Sequence, residues 1–100
     1  MSLLYLINTK GESIWHREFD SSVIAVSISS RGNLISIGTD DGKLMLFDGK
    51  GKKKWEVHLS NSDFSVNSVD ITSDGEFIVA GTDYSTLYLY DSNGKVLWSK

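Results

Sequence analysis

The sequence predicts an all-β fold made of four-stranded antiparallel sheets, and three observations support it. A step from glycine to tryptophan occurs three times, at Gly11–Trp15, Gly51–Trp55 and Gly94–Trp98. A segment of alternating or continuous apolar residues precedes each step, as expected of a strand that leads into a tight hairpin turn. No stretch of the chain has the 3.6-residue apolar period of an amphipathic helix. The chain is therefore predicted to consist of repeated hairpins.

The repeat length predicts how the hairpins are grouped. Trp15 and Trp55 are 40 residues apart, and Trp55 and Trp98 are 43 residues apart. A period of about 40 to 45 residues with four short strands is typical of a β-propeller blade. The three additional residues of the second period are predicted to lie in one loop, among Ser60 to Ser65. The chain is thus expected to be one propeller segment over residues 1–100.

The first element is predicted to be a hairpin over residues 3–19. Its strand Leu4 to Ile7 turns at Asn8 to Gly11 into a strand that places Trp15 and Phe19 on one face, because side chains alternate along a strand. These two strands are interpreted as the outer half of a blade.

Two complete blades follow, over residues 23–59 and 66–100. The predicted strands are Val23 to Ser29, Leu34 to Thr39, Lys43 to Asp48 and Lys54 to Leu59 in the first blade, and Val66 to Thr72, Phe77 to Thr82, Thr86 to Asp91 and a last strand through Trp98 in the second. Glycine and aspartate mark the turns between them, since glycine adopts positive φ at little cost and aspartate accepts hydrogen bonds from nearby amides. The predicted turn residues are Gly32, Asp40, Gly42, Gly75 and Asp83.

Two segments of the second blade resemble WD repeats. Val69–Gly75 followed by Phe77–Asp83 resembles the inner half of a WD-repeat blade, and Leu89–Asp91 stands where that family has its Trp-Asp dipeptide. The Gly-His dipeptide that usually opens such a repeat is missing.

The glycine-to-tryptophan step is similar to the docking motif of PQQ-like, quinoprotein-type repeats. That resemblance implies that each tryptophan packs between neighbouring blades. The turn Asp91–Gly94 is one residue shorter than that family's usual turn. The predicted blade-docking residues are Gly11, Trp15, Gly51, Trp55, Gly94 and Trp98.

No residue is predicted to be catalytic, to bind a cofactor or to ligate a metal. The resemblance to quinoproteins carries no cofactor, because their cofactor is held by residues outside the docking motif. Asp40, Asp41 and Asp83 could ligate calcium by type, but Tyr84–Ser85 replace Asp41–Gly42 in the next repeat, so turn formation explains them better. No nucleophile elbow or phosphate loop is present. We therefore expect a protein that is not an enzyme.

The aromatic and histidine side chains are also compatible with other roles. The tryptophans could stack on a ligand, but their identical place in each repeat favours packing between blades. Exposed Tyr84, Tyr88 and Tyr90 could bind a carbohydrate. His16 and His58 do not align between repeats and are expected to be exposed and paired with opposite charges across their hairpins.

Charge and hydropathy exclude two classes of partner. The net charge is -3, and the basic face expected of a nucleic-acid binder is absent. The apolar start, Met1 to Ile7, is far shorter than the roughly 20 residues that span a bilayer. We expect neither nucleic acid nor a membrane as partner.

The expected function is a non-catalytic propeller scaffold for protein or peptide interaction. The alternative is a non-catalytic fragment of a larger propeller enzyme, such as a quinoprotein dehydrogenase. A closed propeller needs at least about four blades, and this chain supplies two and a spare hairpin. It is therefore expected either to belong to a longer series or to self-associate through blade faces, as a cyclic homo-oligomer or by strand exchange, because the first hairpin and Leu87 to Lys100 are equivalent partners for Val66 to Thr82.

Overall fold

The computed structural model describes residues 2–59, 65–83 and 86–100, which form ten strands in three antiparallel sheets without an α-helix. The strands are β1 Ser2–Ile7, β2 Ser13–Phe19, β3 Val23–Ile28, β4 Leu34–Thr39, β5 Lys43–Asp48, β6 Lys53–His58, β7 Val66–Ile71, β8 Phe77–Thr82, β9 Leu87–Asp91 and β10 Val96–Ser99. The predicted all-β fold with four-stranded antiparallel sheets is confirmed.

Each sheet is a meander in which consecutive strands pair. The first hairpin contains β1 and β2, the middle sheet contains β3 to β6, and the last sheet contains β7 to β10. Within the chain, the pair β7–β8 is completed by β9–β10 and not by the first hairpin. The first hairpin therefore has no inner strand pair among the described residues.

The strand ends differ from the predicted ones by one or two residues at several places. Ser29 and Thr72 were predicted to end strands, but their carbonyls accept from the amides of Gly32 at 2.9 Å and Gly75 at 2.8 Å. These bonds close tight turns, so the ladders end one residue earlier. The predicted insertion falls mostly on residues 60–64, which lie outside the described residues.

The two central strands of the middle sheet, β4 and β5, are buried on both faces. On β5, Met45 and Phe47 face the first hairpin, while Leu44 and Leu46 face the last sheet. This strand is apolar at four consecutive positions because alternate side chains meet different neighbours. Fully burying a side chain of this size stabilises the fold by about 1.5–3 kcal/mol.

The two cores hold the sheets as a stack. Between the first hairpin and the middle sheet, Ile35, Ile37, Met45 and Phe47 are buried against Leu4, Leu6, Trp15, Phe19 and Val23. Between the middle and last sheets lie Leu44, Leu46, Leu59, Val66, Ile71, Ile78, Ala80 and Tyr90. The stack places the outer turns of successive sheets side by side.

Candidate functional site

Trp15 of the first hairpin docks on the β5–β6 turn of the middle sheet. Its indole Nε1 donates to the Gly49 carbonyl at 3.0 Å. The ring lies on Gly51, where an added Cβ would be 2.9 Å from Trp15 Cδ2, and Gly51 has φ +87. Both the contact and the backbone conformation require glycine at this position.

Trp55 of the middle sheet repeats this contact on the β9–β10 turn of the last sheet. Its Nε1 donates to the Ser92 carbonyl at 3.0 Å. An added Cβ on Gly94, whose φ is +88, would lie 3.1 Å from the ring. The ring also stacks on Tyr90 with centroids 5.7 Å apart. The same tryptophan-to-turn contact therefore joins each consecutive pair of sheets.

Trp98 corresponds to Trp15 and Trp55 in the repeat, and Gly11 corresponds to Gly51 and Gly94. Trp98 and Gly11 lie at opposite ends of the stack. Trp98 is 42% exposed, and Lys100 Nζ lies 5.7 Å from its ring centroid. Gly11 has φ +82, and nothing among the described residues lies within 4 Å of an added Cβ. Each residue is thus half of a contact that forms twice within the chain.

The three docking turns are held by the same local hydrogen bonds. Asp48 Oδ1 accepts from the amides of Lys50 and Lys52, each at 2.9 Å, and Asp91 accepts from the corresponding amides of its own turn. The amide of Lys52 is the largest cause of the lowered pKa of Asp48. Asn8 makes the same bonds in the first hairpin without a charge. The turn conformation is therefore held by local hydrogen bonds whether or not a tryptophan is docked on the turn.

The carboxylates of the turn aspartates accept hydrogen bonds from other residues of the chain. Asp40 accepts from the amide of Ser22 at 3.1 Å, and Asp83 accepts from Asn67 Nδ2 at 2.9 Å. Desolvation acts to raise the pKa of Asp41, but hydrogen bonds from Ser21 and Thr39 outweigh it and hold that pKa below its usual value. Within the described ranges, no three His, Asp or Glu side chains are placed to hold a metal ion.

The predicted turn glycines Gly32, Gly42 and Gly75 have φ of +70, +89 and +76. Their amide N–H groups donate back across tight turns to the carbonyls of Ser29, Thr39 and Thr72. These glycines shape the loops between strands.

His16 and His58 are exposed as predicted, but their predicted pairing with opposite charges was wrong. His16 pairs across the hairpin with Tyr5, and His58 with Lys43, so neither faces an opposite charge. His58 Nε2 instead donates to the Asp41 carbonyl at 2.7 Å. The strand β1 contains no charged residue, so no register would pair His16 with an opposite charge, and β5 presents Lys43 opposite His58.

The tyrosines proposed for carbohydrate binding are not an exposed set. Tyr90 is buried between sheets, and Tyr88 is partly buried with its hydroxyl donating to the Leu59 carbonyl at 2.7 Å. Tyr84 lies outside the described residues. The two described tyrosines serve packing between the middle and last sheets.

Apolar side chains are exposed on the outward faces of both ends of the stack. On β1, Leu3, Tyr5 and Ile7 alternate with residues that pack on the middle sheet, so they point away from it. On the last sheet, Leu87 and Trp98 are exposed in the same way. Both end faces are therefore available for contact.

An open slot lies beside the first hairpin. Ile24, Val26 and Ile28 form a row on β3, each 49% exposed. By register, Val26 and Ile28 lie next to Ile37 and Ile35, which the first hairpin helps to bury. The inner edge of β1 has no strand partner among the described residues. This slot has room for an inner strand pair.

Sequence reasoning missed two features. Gly49 approaches the neighbouring loop so closely that an added Cβ would lie 2.5 Å from the Gly32 carbonyl oxygen. A cleft of about 550 Å³ opens between β2 and the outer strands of the middle sheet, where Phe19 and Phe47 meet Lys43 and Glu56. A second glycine in a turn was the available signal for Gly49, whereas the cleft depends on how sheets stack.

Comparison with solved structures shows the fold. BamB from Moraxella catarrhalis, a PQQ-like repeat protein, matches with TM-score 0.78 and 26% identity over 90% of this chain and 28% of its own. Sqt1 from Saccharomyces cerevisiae matches with TM-score 0.69 and 19% identity over 80% of this chain and 23% of its own. A protein of unknown function from Bacteroides caccae matches with TM-score 0.75 and 17% identity over 99% of this chain and 36% of its own.

These matches confirm a partial propeller, and the match to BamB confirms the predicted likeness to PQQ-like repeats. The chain spans only about a quarter to a third of the length of these solved structures. No curated protein sequence matches it. The described residues contain no helix long and apolar enough to cross a membrane.

A family match confirms the predicted likeness to WD repeats. It covers residues 26–100, which include both four-stranded sheets apart from the start of β3. The chain is a β-propeller repeat scaffold, and it belongs to the family described as the anaphase-promoting complex subunit 4 WD40 domain.

Proposed function

We propose that this chain is a non-catalytic scaffold for protein interaction that self-associates through its blade faces. The observation that carries the proposal is the pair of apolar end faces, one with Leu3, Tyr5 and Ile7 and the other with Leu87 and Trp98. Contiguous apolar surface of this kind is rare on soluble monomers and is typical of interaction sites.

The interior of the stack supports the same proposal. Equivalent faces are buried where a neighbouring sheet covers them, as for Met45 and Phe47 against the first hairpin. The end faces carry side chains of the same kind at the same repeat positions, such as Tyr5 and Ile7. A neighbouring sheet is therefore the surface that best fits them.

Light scattering over a range of micromolar concentrations tests self-association. The expected result is a mass that rises above 11.1 kDa with concentration and reaches a plateau at a whole number of chains. A mass that stays at 11.1 kDa throughout would overturn this part of the proposal.

The open slot is proposed as the binding site for strands of a protein partner. An added strand pair would hydrogen-bond to the free edge of β1 and cover Ile24, Val26 and Ile28. Placing a second copy of residues 66–86 before Ser2 supplies such a pair in the chain order of the other blades. The fusion is expected to unfold at higher urea concentration than the parent chain, and an unchanged midpoint would overturn the slot as a strand-binding site.

The absence of catalysis is also a proposal. Titration with PQQ and calcium separates it from the quinoprotein alternative. We expect no stoichiometric uptake, and tight uptake would contradict a non-catalytic scaffold.

A further inference from the structure

Both tryptophan contacts inside the chain follow one geometry. In each, the indole N–H donates to the carbonyl of the second residue of a turn, Gly49 or Ser92, at 3.0 Å. In each, the ring covers the fourth residue of that turn, a glycine with positive φ. The contact depends on the turn backbone and on the missing Cβ, and not on the side chain of the acceptor residue.

The Asn8–Gly11 turn has the same conformation without a tryptophan on it. Gly11 N donates to the Asn8 carbonyl at 3.0 Å, as Gly51 N does to the Asp48 carbonyl at 3.1 Å. Asn8 Oδ1 accepts from the amides of Lys10 and Glu12 at 2.9 and 3.0 Å. The Thr9 carbonyl therefore stands where Gly49 and Ser92 accept their indole N–H groups.

Trp98 has the matching donor side. It is paired by register with Leu89, as Trp15 is with Leu6 and Trp55 with Leu46. Lys100 lies over its ring at 5.7 Å, as Arg17 lies over Trp15 at 5.6 Å. The indole N–H makes no hydrogen bond to another described residue.

The apolar surroundings also correspond. Trp55 stacks on Tyr90, and Trp15 joins the cluster that contains Phe47. In each case the aromatic residue belongs to the sheet on which the tryptophan docks. It comes directly after the leucine that pairs with that sheet's own tryptophan, so Phe47 follows Leu46 and Tyr90 follows Leu89. The residue at that place in the first hairpin is Ile7, which is 56% exposed.

One chain cannot join its own Trp98 to its own Asn8–Gly11 turn. The first hairpin and the last sheet pack on opposite faces of the middle sheet. The two free halves of the contact therefore point away from each other, and a second copy of the chain supplies both missing halves with the geometry already formed twice inside it.

We propose that a second copy docks head to tail, so that Trp98 of one copy donates its indole N–H to the Thr9 carbonyl of the next and covers its Gly11. This inference rests on the proposed self-association and specifies its contact. The two surfaces differ, so the assembly either closes into a ring or continues as a filament.

Paired variants test the contact by light scattering. Trp98→Ala removes the donor and the ring. Gly11→Asn places a side chain under the docked ring, and asparagine tolerates positive φ better than other residues, so the turn is kept. Each variant alone is expected to bind at least about tenfold more weakly than the unsubstituted chain, with an unchanged far-ultraviolet circular dichroism spectrum.

Mixing the two variants gives the decisive result. Trp98→Ala retains a working turn and Gly11→Asn retains a working tryptophan, so a mixture is expected to form heterodimers that stop at two chains. Thr9→Ala is the matched control, because it keeps the accepting carbonyl and is expected to assemble normally.

The outcomes separate the two proposals. Assembly of both single variants like the unsubstituted chain, or a mixture that stays monomeric, overturns this contact while self-association stands. A monomeric unsubstituted chain overturns self-association and the contact together. If Trp98→Ala loses its circular dichroism spectrum, Trp98→Phe replaces it, because phenylalanine keeps an aromatic side chain but has no N–H to donate. Normal assembly of Trp98→Phe would overturn the proposed hydrogen bond.

Discussion

The indole N–H of Trp55 donates to the backbone carbonyl of Ser92, 37 residues further along the chain, at 3.0 Å. This bond joins the outer strand of one sheet to the outer turn of the next. Because its acceptor belongs to the backbone, the contact constrains the turn conformation and the glycine below the ring more than it constrains the identity of residue 92.

The first prediction concerns the glycine under a docked tryptophan. Gly51→Ala is expected to cost about 1–2 kcal/mol for its left-handed backbone and about 1–3 kcal/mol more for the overpacked contact with Trp15. Gly11 has nearly the same φ as Gly51, but an added Cβ would have no neighbour within 4 Å. Gly11→Ala is therefore expected to lose only the backbone contribution. Urea unfolding of both variants, at a concentration where the chain is monomeric, measures the difference. Equal losses would show that the ring contact is unimportant.

The second prediction compares one strand position in two repeats. An added Cβ on Gly38 would lie 2.8 Å from the Val66 carbonyl oxygen, whereas on Gly81 its closest neighbour is Ser68 Oγ at 2.6 Å. A serine hydroxyl can rotate away, but the backbone of a neighbouring sheet cannot. Gly38→Ala is therefore expected to lose about 1–3 kcal/mol and Gly81→Ala less. The order of their urea midpoints checks this, and a reversed order would contradict the packing of β4 against β7.

The third prediction concerns a buried hydroxyl. Ser36 Oγ is buried without a hydrogen-bond partner among the described residues, whereas Ser29 Oγ accepts from the Leu34 amide at 3.1 Å. Ser36→Ala is expected to leave stability unchanged or raise it, because an unpaired buried polar group is unfavourable. Ser29→Ala is expected to lose about 1 kcal/mol. Thermal unfolding of the two variants measures both changes in stability. A larger loss of stability for Ser36→Ala than for Ser29→Ala would indicate that the Ser36 hydroxyl has a hydrogen-bond partner.

The fourth prediction concerns acid. The folded-state pKa of Asp41 lies below its usual value of 3.8, so the ionised carboxylate favours the folded state. This contribution is fully present above the usual value and is lost as the pH falls through the lowered one. Asp41→Asn is therefore expected to be less stable than the parent near neutral pH, with the difference shrinking in acid. Urea midpoints at several pH values measure it, and a difference that does not change with pH would contradict the assignment.

Sequence patterns predicted the elements of this fold better than its surfaces. The repeat spacing and the turn glycines predicted the strands of both complete sheets to within two residues. The apolar run Leu3 to Ile7 did not show which of its faces is buried, because both faces of a strand with continuous apolar residues look alike. The structure places Leu4 and Leu6 against the middle sheet and exposes Leu3, Tyr5 and Ile7.

The partners of individual side chains were harder to predict for a similar reason. The cross-strand neighbours of His16 and His58 depend on register, which a single bulge changes by one residue. Likewise, the three tryptophans are equivalent in sequence, yet among the described residues Trp15 and Trp55 dock on the turn of a following sheet and Trp98 does not. Equivalent positions in a repeat differ when their neighbours differ.

Hydrogen exchange of the three indole N–H groups tests the central claim most directly. We expect that, in dilute solution, the Trp15 and Trp55 indole protons exchange slowly because they are hydrogen-bonded between sheets, while the Trp98 indole proton exchanges rapidly. As the concentration rises, the Trp98 proton is predicted to become protected at the concentration where the mass increases. Equal exchange of all three protons in dilute solution, or a Trp98 proton that stays unprotected in the assembled protein, would contradict it.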